Sequence, residues 1–340
     1  MRIQAYIKAI EYDLPDGLLT NEMLETEFPE WSIGKIEQNV GVVVRRIAAK
    51  DECASDMGVR AAEKIFDSGA CNRGQVDYLL FCTQSPDYFL PTTACIMQDR
   101  LGLPKSCGAL DFNLGCSGFV YGLGLAKGLI ETGQAKNVLL ITAETYTKHI
   151  HPADRSVRTL FGDAAAATLI KGVNASEEFV GPFVYGTDGG GCKNLIVPTG
   201  GSRFRRTKET ARPEEDEHGN IRSKDNLYMN GAEIFTFTLR SIPKTVKQIL
   251  AFSGRSLDDI DLFVFHQASK FMLEHLRKHL RLPEGKFYMS FTNYGNTVSS
   301  TIPIALKDAQ TDGVLRFGDL VMLVGFGVGY SWGSTLVRWT

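Results

Sequence analysis

The sequence lacks an apolar run that could cross a membrane, since none reaches the roughly 18 consecutive residues that a spanning helix needs. Its N-terminal stretch also lacks the layout of a signal peptide, because Lys8, Glu11 and Asp13 interrupt any apolar region. These two absences predict a protein with no membrane partner.

An excess of charge of one sign is also missing. The 37 basic and 39 acidic residues give a formal net charge of −2, which provides no reason to expect a nucleic-acid partner. The seven cysteines are odd in number and scattered, with no C-x-x-C spacing. A disulfide framework and a zinc site are therefore both disfavoured, and we expect no metal ion and a reducing, cytoplasmic location.

The residues that are present predict a globular α/β protein. The chain has 340 residues, of which 44% are hydrophobic and 22% charged, and this length suits two domains or one large pseudo-symmetric unit. Predicted strands alternate with helices, which favours a sheet covered on both faces. We predict strands at 3–10, 76–82, 108–113, 138–143, 161–170 and 334–339, and helices at 21–28, 31–38, 51–68, 93–101, 119–130 and 232–252.

The second half of the chain repeats the pattern of the first. Residues 76–82 match 260–266 without a gap, and residues 137–143 match 319–325. In each half a strand then ends in glycine followed by a polar residue, Cys116 in one case and Asn296 in the other. We therefore predict two similar halves, 1–172 and 173–340, whose equivalent turns meet so that Cys116 faces Asn296, with His266 beside them.

Cys116 lies in the stretch L-D-F-N-L-G-C-S-G-F-V, residues 110–120. This pattern predicts a strand, a tight turn and a helix whose first turn carries the cysteine. The N-terminus of a helix favours the thiolate form of a cysteine, which is the nucleophilic form. The alternative is a buried and inert thiol.

A cysteine, a histidine and an asparagine that converge at strand ends indicate acyl transfer through a thioester. A papain-like hydrolase and a condensing enzyme both use these residue types, but the protease signature around the cysteine is absent and a duplicated α/β core does not suit it. His275 and His279 lie four residues apart and could share a metal ion, yet no third ligand accompanies them.

Each of two further segments allows two interpretations. The glycine-rich ending, residues 325–333, can present backbone N–H groups to a developing oxyanion or can form a hairpin turn, and both can hold at once. The charged stretch 202–225 is either a solvated loop or a docking surface.

Four stretches together resemble the β-ketoacyl-acyl-carrier-protein synthase III family of the thiolase superfamily. They are D-F-N-L-G-C-S-G-F, H-Q-A at 266–268, Y-G-N-T at 294–297 and the ending G-F-G-V-G-Y-S-W-G. The resemblance runs along nearly the whole chain. It implies a five-layered αβαβα fold, a homodimer, and a reaction in which an acyl-CoA acylates Cys116 before malonyl-acyl-carrier-protein binds and loses CO₂.

The resemblance also implies roles for individual residues. His266 and Asn296 would stabilise the enolate formed on decarboxylation, and the backbone N–H groups of Cys116 and Val328 would hold the oxyanion. No cofactor is implied, because the CoA thioester is a substrate. The residues implied in substrate binding are Trp31, Leu90, Arg155, Ser269 and Lys270, of which Leu90 would reach into the acyl pocket of the partner subunit.

The sequence departs from the family pattern at several of these positions. Val328 stands where many members have glycine, the segment after Trp31 is longer and lacks a CoA-contacting arginine (Lys35 lies near that position), and Ser269 stands where many members have asparagine. Two alternatives stay open: a specialised synthase III-like acyltransferase that uses an oxygen or nitrogen acceptor or makes a secondary metabolite, and a catalytically silent scaffold partner of an active synthase.

Overall fold

The computed structural model describes residues 2–340, except for the side chain of Lys35. The strands are β1 (Arg2–Asp13), β2 (Gly17–Thr20), β3 (Val44–Ile47), β4 (Tyr78–Cys82), β5 (Gly108–Phe112), β6 (Asn137–Glu144), β7 (Ala164–Ala175), β8 (Val180–Thr187), β9 (Leu195–Ile196), β10 (Glu214–Glu215), β11 (Ile221–Arg222), β12 (Tyr228–Met229), β13 (Leu262–Phe265), β14 (Leu320–Gly327) and β15 (Ser331–Arg338). The α-helices are α1 (Asn21–Glu27), α2 (Ile33–Asn39), α3 (Ala54–Asp67), α4 (Thr93–Arg100), α5 (Gly118–Glu131), α6 (Arg155–Arg158), α7 (Gly231–Ser253), α8 (Lys270–Leu280) and α9 (Thr301–Thr311).

Most of the predicted elements are confirmed, with differences at their ends. Helix α5 begins at Gly118 with Ser117 as its N-cap, so the prediction that its first turn carries Cys116 is wrong. Strand β7 begins at Ala164, because Phe161 instead forms an isolated bridge with Asn296. Strand β7 also continues past residue 172 to Ala175, and the division of the chain at 172/173 stays a prediction.

Two sheets with the same plan form the centre of the molecule. The first sheet has the order β1-β7-β6-β4-β5 and the second has the order β8-β15-β14-β13. In both, the first three strands are antiparallel neighbours and the next pairing is parallel, β4 with β6 and β13 with β14. A parallel bridge between Phe263 and Phe287 lies where β5 lies in the first sheet. The matching segments of the sequence therefore occupy matching places in the fold.

The helices complete five layers, as the family resemblance predicts. Helices α5 and α9 form the central layer, where Phe119 and Ile302 pack among residues of both sheets. Helices α3 and α4 cover the other face of the first sheet, and α7 and α8 cover the other face of the second. The order of layers is αβαβα, and the turns that precede α5 and α9 lie between the two sheets.

The glycines of α5 allow it to pack closely against the first sheet. A Cβ atom on Gly122 would lie 2.6 Å from Leu140 Cδ1, and one on Gly118 would lie 2.3 Å from Cys82 Sγ. Both distances are too short for a real contact, so these glycines set how closely the helix approaches.

Two findings bear on the expected environment of the protein. No helix within residues 2–340 is long and apolar enough to cross a membrane. All seven cysteines are free, and the two that are exposed, Cys95 and Cys192, are not paired with each other.

The packing of the central layer predicts that alanine substitutions at two phenylalanines differ in their effect on stability. Phe119 is fully buried between the sheets, whereas Phe317 is 85% exposed. Replacing Phe119 by Ala leaves a cavity, so we expect the free energy of unfolding to fall by about 3–5 kcal/mol. Phe317→Ala should change it by less than about 0.5 kcal/mol. Urea titrations of the two variants, followed by circular dichroism, check this, and equal midpoints would contradict the packing described.

Candidate active site

A largely apolar cavity of about 410 Å³ lies between the second sheet and the turns that precede α5 and α9. Cys116, His266 and Asn296 all line it. The structure thus brings together the three residues that the sequence singled out, from one turn of the first half of the chain and two segments of the second. Most of the remaining wall is apolar and includes Phe161 and Phe326.

The position of Cys116 depends on the glycines of β14. A Cβ atom on Gly327 would lie 2.9 Å from Cys116 Sγ, and one on Gly325 would lie 2.9 Å from the carbonyl oxygen of Cys116. Only glycine therefore allows this strand to run so close to the cysteine turn. The same approach brings the backbone N–H of Val328 to the thiol, where it acts together with the N–H of Cys116 itself.

The thiol of Cys116 is not activated by its surroundings in the way that the sequence predicted. Burial raises its pKa to about 12, and the nearby carboxyl of Glu144 adds to the rise. The two backbone N–H groups lower the pKa by less than burial raises it. The expected thiolate is therefore wrong for the free protein, because the dry cavity disfavours the charge.

Glu144 is the buried carboxyl beside this site, at the end of β6. It accepts hydrogen bonds from the backbone N–H of Gln84 at 3.0 and 3.1 Å and from the hydroxyls of Ser85 at 3.1 Å and Ser299 at 3.2 Å. Burial outweighs these bonds and raises its pKa to about 8. Glu144 is therefore largely protonated at neutral pH, and it joins the first sheet to the turn that precedes α9.

His266 follows β13 and is almost completely buried. Its backbone N–H donates to the carbonyl of Val324 at 2.8 Å, and its Nδ1 lies 2.8 Å from Thr301 Oγ1. Burial lowers the pKa of the imidazole to about 3. The ring is therefore neutral at physiological pH and carries one N–H.

Asn296 is held so that its amino group lies beside this imidazole. The backbone N–H of Val298 donates to Asn296 Oδ1 at 2.9 Å, which fixes the orientation of the carboxamide. Its Nδ2 then lies 3.5 Å from His266 Nε2 and 3.4 Å from the carbonyl oxygen of Ala268. Gly295, with a φ of 76°, makes the turn that places the residue.

The predicted substrate-binding residues lie in different places. Ser269 lines the cavity and caps α8 through the N–H of Met272. Lys270 and Arg155 are exposed at the starts of α8 and α6. Leu90 is 82% exposed in a loop and does not line the cavity.

Trp31 has little surface left with which to bind a ligand. It is 4% exposed, and its ring stacks on Phe28 with the centroids 4.2 Å apart. Arg158 lies over the Phe28 ring, 5.5 Å from its centroid. The structure therefore offers no free indole face, and a role for Trp31 in substrate binding would require the ring to move.

The charged stretch 202–225 is only partly a solvated loop. Its basic residues Arg203, Arg205, Arg206 and Lys208 are exposed. Its later part pairs β10 with β11 and packs on the segment before α6, where the N–H of Ile221 donates to the carbonyl of Ala153 at 3.2 Å.

The candidate metal pair has no supporting geometry. His275 Nδ1 lies 2.8 Å from the carbonyl oxygen of Phe271 in its own helix. Over the described part of the chain, no group of three or more His, Cys, Asp or Glu residues could hold a metal ion.

Sequence reasoning missed Glu144 and Thr301. A glutamate directly after the nearly continuous apolar strand 138–143 was the available signal for the first, because a carboxyl at the end of a buried strand needs partners. Thr301 directly follows two other small hydroxyl residues, and nothing in the sequence distinguishes it from Ser299 or Ser300.

Comparisons with known proteins agree with this geometry. The family model described as 3-oxoacyl-[acyl-carrier-protein] synthase III matches residues 110–189, and the model of the C-terminal part of that family matches 250–339. A relative from Clostridioides difficile, named beta-ketoacyl-[acyl-carrier-protein] synthase III, is 37% identical over 343 residues that cover all of both chains. A relative of the same name from Caldanaerobacter subterraneus is 35% identical and covers 96% of this chain and 95% of its own. A crystal structure described as 3-oxoacyl-(acyl-carrier-protein) synthase III is 50% identical, with a TM-score of 0.98 over 99% of this chain and 100% of that chain.

The proximity of Glu144 to the thiol predicts a pH-dependent effect of Glu144→Gln. Above pH 8 the carboxyl of the wild-type protein is charged and holds the thiol pKa up, whereas the amide is neutral at every pH. We therefore expect the variant thiol to have the lower pKa and to react up to about tenfold faster with iodoacetamide at pH 9, which corresponds to about one pKa unit. Below pH 7 the two proteins should react alike.

Mass spectrometry of the peptide that contains Cys116 measures this reaction directly. The exposed Cys95 and Cys192 serve as internal controls in the same sample, because their alkylation should not differ between the two proteins. Equal rates at Cys116 at pH 9 would mean that the carboxyl does not influence the thiol.

Proposed function

Since the chain belongs to the 3-oxoacyl-[acyl-carrier-protein] synthase III family, we propose that it is a condensing acyltransferase of fatty acid biosynthesis. It joins the acyl group of an acyl-CoA to malonyl-acyl-carrier-protein, releases CoA and CO₂, and gives a 3-oxoacyl-acyl-carrier-protein. The observation that carries this proposal is the meeting of Cys116, His266 and Asn296 on one apolar cavity. A scaffold without activity would have no need of these three groups together.

The first step is transfer of the acyl group to Cys116. The sulfur attacks the thioester carbonyl, the bond from that carbonyl to the CoA sulfur breaks, and CoA leaves as a thiol with the proton that Cys116 gives up. Negative charge builds up on the carbonyl oxygen during the attack. The backbone N–H groups of Cys116 and Val328, which lower the pKa of the thiol, would be suitable donors to this oxygen.

The second step is decarboxylation of the malonyl group. The carbon–carbon bond to the carboxylate breaks, CO₂ leaves, and the electron pair forms an enolate whose oxygen needs hydrogen-bond donors. Asn296 Nδ2 and His266 Nε2 lie side by side on the cavity and suit this oxygen. The enolate carbon then attacks the acyl group on Cys116, and the sulfur leaves and takes up a proton.

The apolar wall of the cavity favours condensation over hydrolysis. A thioester on Cys116 would lie among side chains such as Phe161 and Phe326, which offer water no hydrogen-bond partners. A hydrolase would instead need a water molecule held by a base beside the acyl group. His266, buried and with a pKa lowered to about 3, is poorly suited to accept that proton.

The substrates and the assembly belong to the same proposal. An acyl-CoA and an acyl-carrier protein are the partners, and no metal ion or other cofactor takes part. Ser269, which lines the cavity, and the exposed Lys270 beside it are suited to contact the phosphopantetheine arm that both partners share. Arg155, exposed at the start of α6, could contact a phosphate of CoA. The enzyme acts as a cytoplasmic homodimer.

The proposed reaction predicts that alanine substitutions of the three residues impair different steps. Cys116→Ala should gain no acyl mass from an acyl-CoA, because the nucleophile is absent. His266→Ala and Asn296→Ala should still become acylated but should release CO₂ from malonyl-acyl-carrier-protein at least about 10²-fold more slowly, since each lacks a donor to the enolate. Intact-mass spectrometry follows the first step and release of labelled CO₂ follows the second.

Cys95→Ala is the matched control, because Cys95 is exposed and does not line the cavity. This variant should keep both steps. Acyl transfer without CO₂ release by the wild-type protein would favour an oxygen or nitrogen acceptor, and no adduct with any acyl-CoA would favour the scaffold alternative.

The homodimer can be tested at the loop that carries Leu90. Tyr88, Phe89 and Leu90 follow one another and are 63%, 88% and 82% exposed, and a contiguous exposed apolar patch indicates an interaction surface, whereas a single exposed apolar residue does not. We expect the wild-type protein to sediment at twice the mass of one chain. Leu90→Asp should shift the equilibrium toward the monomer, measured by sedimentation velocity across a dilution series. Phe317→Asp, at an equally exposed site in the second half of the chain, is the control and should leave the dimer intact.

A further inference from the structure

The hydroxyl of Thr301 lies directly against the side of His266 that faces away from Asn296. Thr301 Oγ1 is 2.8 Å from Nδ1 of the imidazole and 3.0 Å from the carbonyl oxygen of Val298. Both side chains are buried, with exposed fractions of 3% for Thr301 and 2% for His266. The hydroxyl has one proton, so it can donate to only one of these two acceptors at a time.

The other ring nitrogen indicates which acceptor receives the proton. Nε2 lies 3.5 Å from Asn296 Nδ2, longer than the usual 2.7–3.2 Å of a nitrogen hydrogen bond. The N–H of Val298 fixes the carboxamide, so the amino group cannot be exchanged for the carbonyl oxygen. Two nitrogens at this separation on one cavity wall fit a pair of N–H donors that point toward the same oxygen atom.

We propose that Thr301 is a positioning residue: its hydroxyl donates to Nδ1 of His266 and thereby keeps the single proton of the imidazole on Nε2. The cavity then presents two donors, Nε2–H of His266 and Nδ2–H of Asn296. If the hydroxyl instead donated to the carbonyl of Val298, Nδ1 would carry the proton and Nε2 would repel an enolate oxygen. The consequence for catalysis rests on the proposed function, whereas the position of the proton does not.

Which acceptor receives the hydroxyl proton of Thr301 is important because the imidazole of His266 is neutral. A protonated ring would carry N–H groups on both nitrogens, and the partner of Nδ1 would not affect Nε2. Burial lowers the pKa of His266 to about 3, so the ring has only one proton to place. The hydrogen bond at Nδ1 then decides which ring nitrogen carries that proton.

The first sheet determines where this hydroxyl lies. Thr301 begins α9, directly after the turn Val298–Ser300. Ser300 Oγ donates to the carbonyl of Thr142 at 2.9 Å, and Ser299 Oγ donates to Glu144 at 3.2 Å. Both acceptors belong to β6, so the turn is fastened to the first sheet at two successive residues. The hydroxyl therefore has little freedom to move away from the imidazole.

The first test locates the proton without any substrate. In protein labelled with ¹⁵N-histidine, long-range ¹H–¹⁵N correlation spectra distinguish Nε2–H from Nδ1–H, and His266→Gln identifies the signals of this residue among the six histidines. We expect Nε2–H in the wild-type protein and at least partial conversion to Nδ1–H in Thr301→Val, which keeps the shape and removes the hydroxyl. A proton on Nδ1 in the wild-type protein overturns the proposal, and this measurement needs no variant of Thr301 to fold.

The second test separates positioning from a merely structural role. Thr301→Val should slow CO₂ release by about 10²-fold, the usual loss of one oxyanion donor, and leave acylation of Cys116 within about twofold. Thr301→Ser restores the hydroxyl and should recover most of the lost rate. Equal loss of both steps, or no loss of CO₂ release, overturns the proposal. If the wild-type protein forms no acyl adduct, the proposed function fails while the spectroscopic result still stands.

Discussion

The close approach of β14 to the turn that carries Cys116 is the constraint on which the rest of the site depends. The strand can come so near because Gly325 and Gly327 have no side chains, and a Cβ atom on either would lie 2.9 Å from atoms of Cys116. The approach places the N–H of Val328 at the sulfur and joins the second sheet to the first at Cys116. A doubled architecture provides it, because equivalent strand ends of the two sheets face the same central layer.

The arrangement also determines the protonation states of the groups in the site. Enclosing the site between two sheets removes water, and burial then raises the pKa values of Cys116 and Glu144 and lowers that of His266. All three groups are therefore mainly uncharged in the free protein at neutral pH. Charge appears in the cavity only when a reaction creates it, and donors already in place are effective there because no solvent competes with them.

The sequence alone predicted much of the fold and of the site, for identifiable reasons. The repeat of 76–82 in 260–266 is visible in the letters because equivalent strands in the two sheets need the same apolar pattern. The repeat placed Cys116 opposite Asn296 with His266 beside them. The protonation state of Cys116 could not be predicted in this way, because it depends on burial and on Glu144, 28 positions along the chain. The enclosed ring of Trp31 depends on Phe28 in the same way, since a stacking partner is a property of the folded chain.

Because the site is divided between the two sheets, the distance between the sheets must stay fixed. Cys116 comes from the first half of the chain and His266 and Asn296 from the second, so a small sliding of one sheet would separate the thiol from the imidazole and the carboxamide. Glu144 and Thr142, both on β6, bind the turn that lies between Asn296 and α9. A serine hydroxyl is short, so these bonds tolerate little displacement. The polar side chains at the centre of an otherwise apolar interface are therefore best understood as the contacts that set this distance.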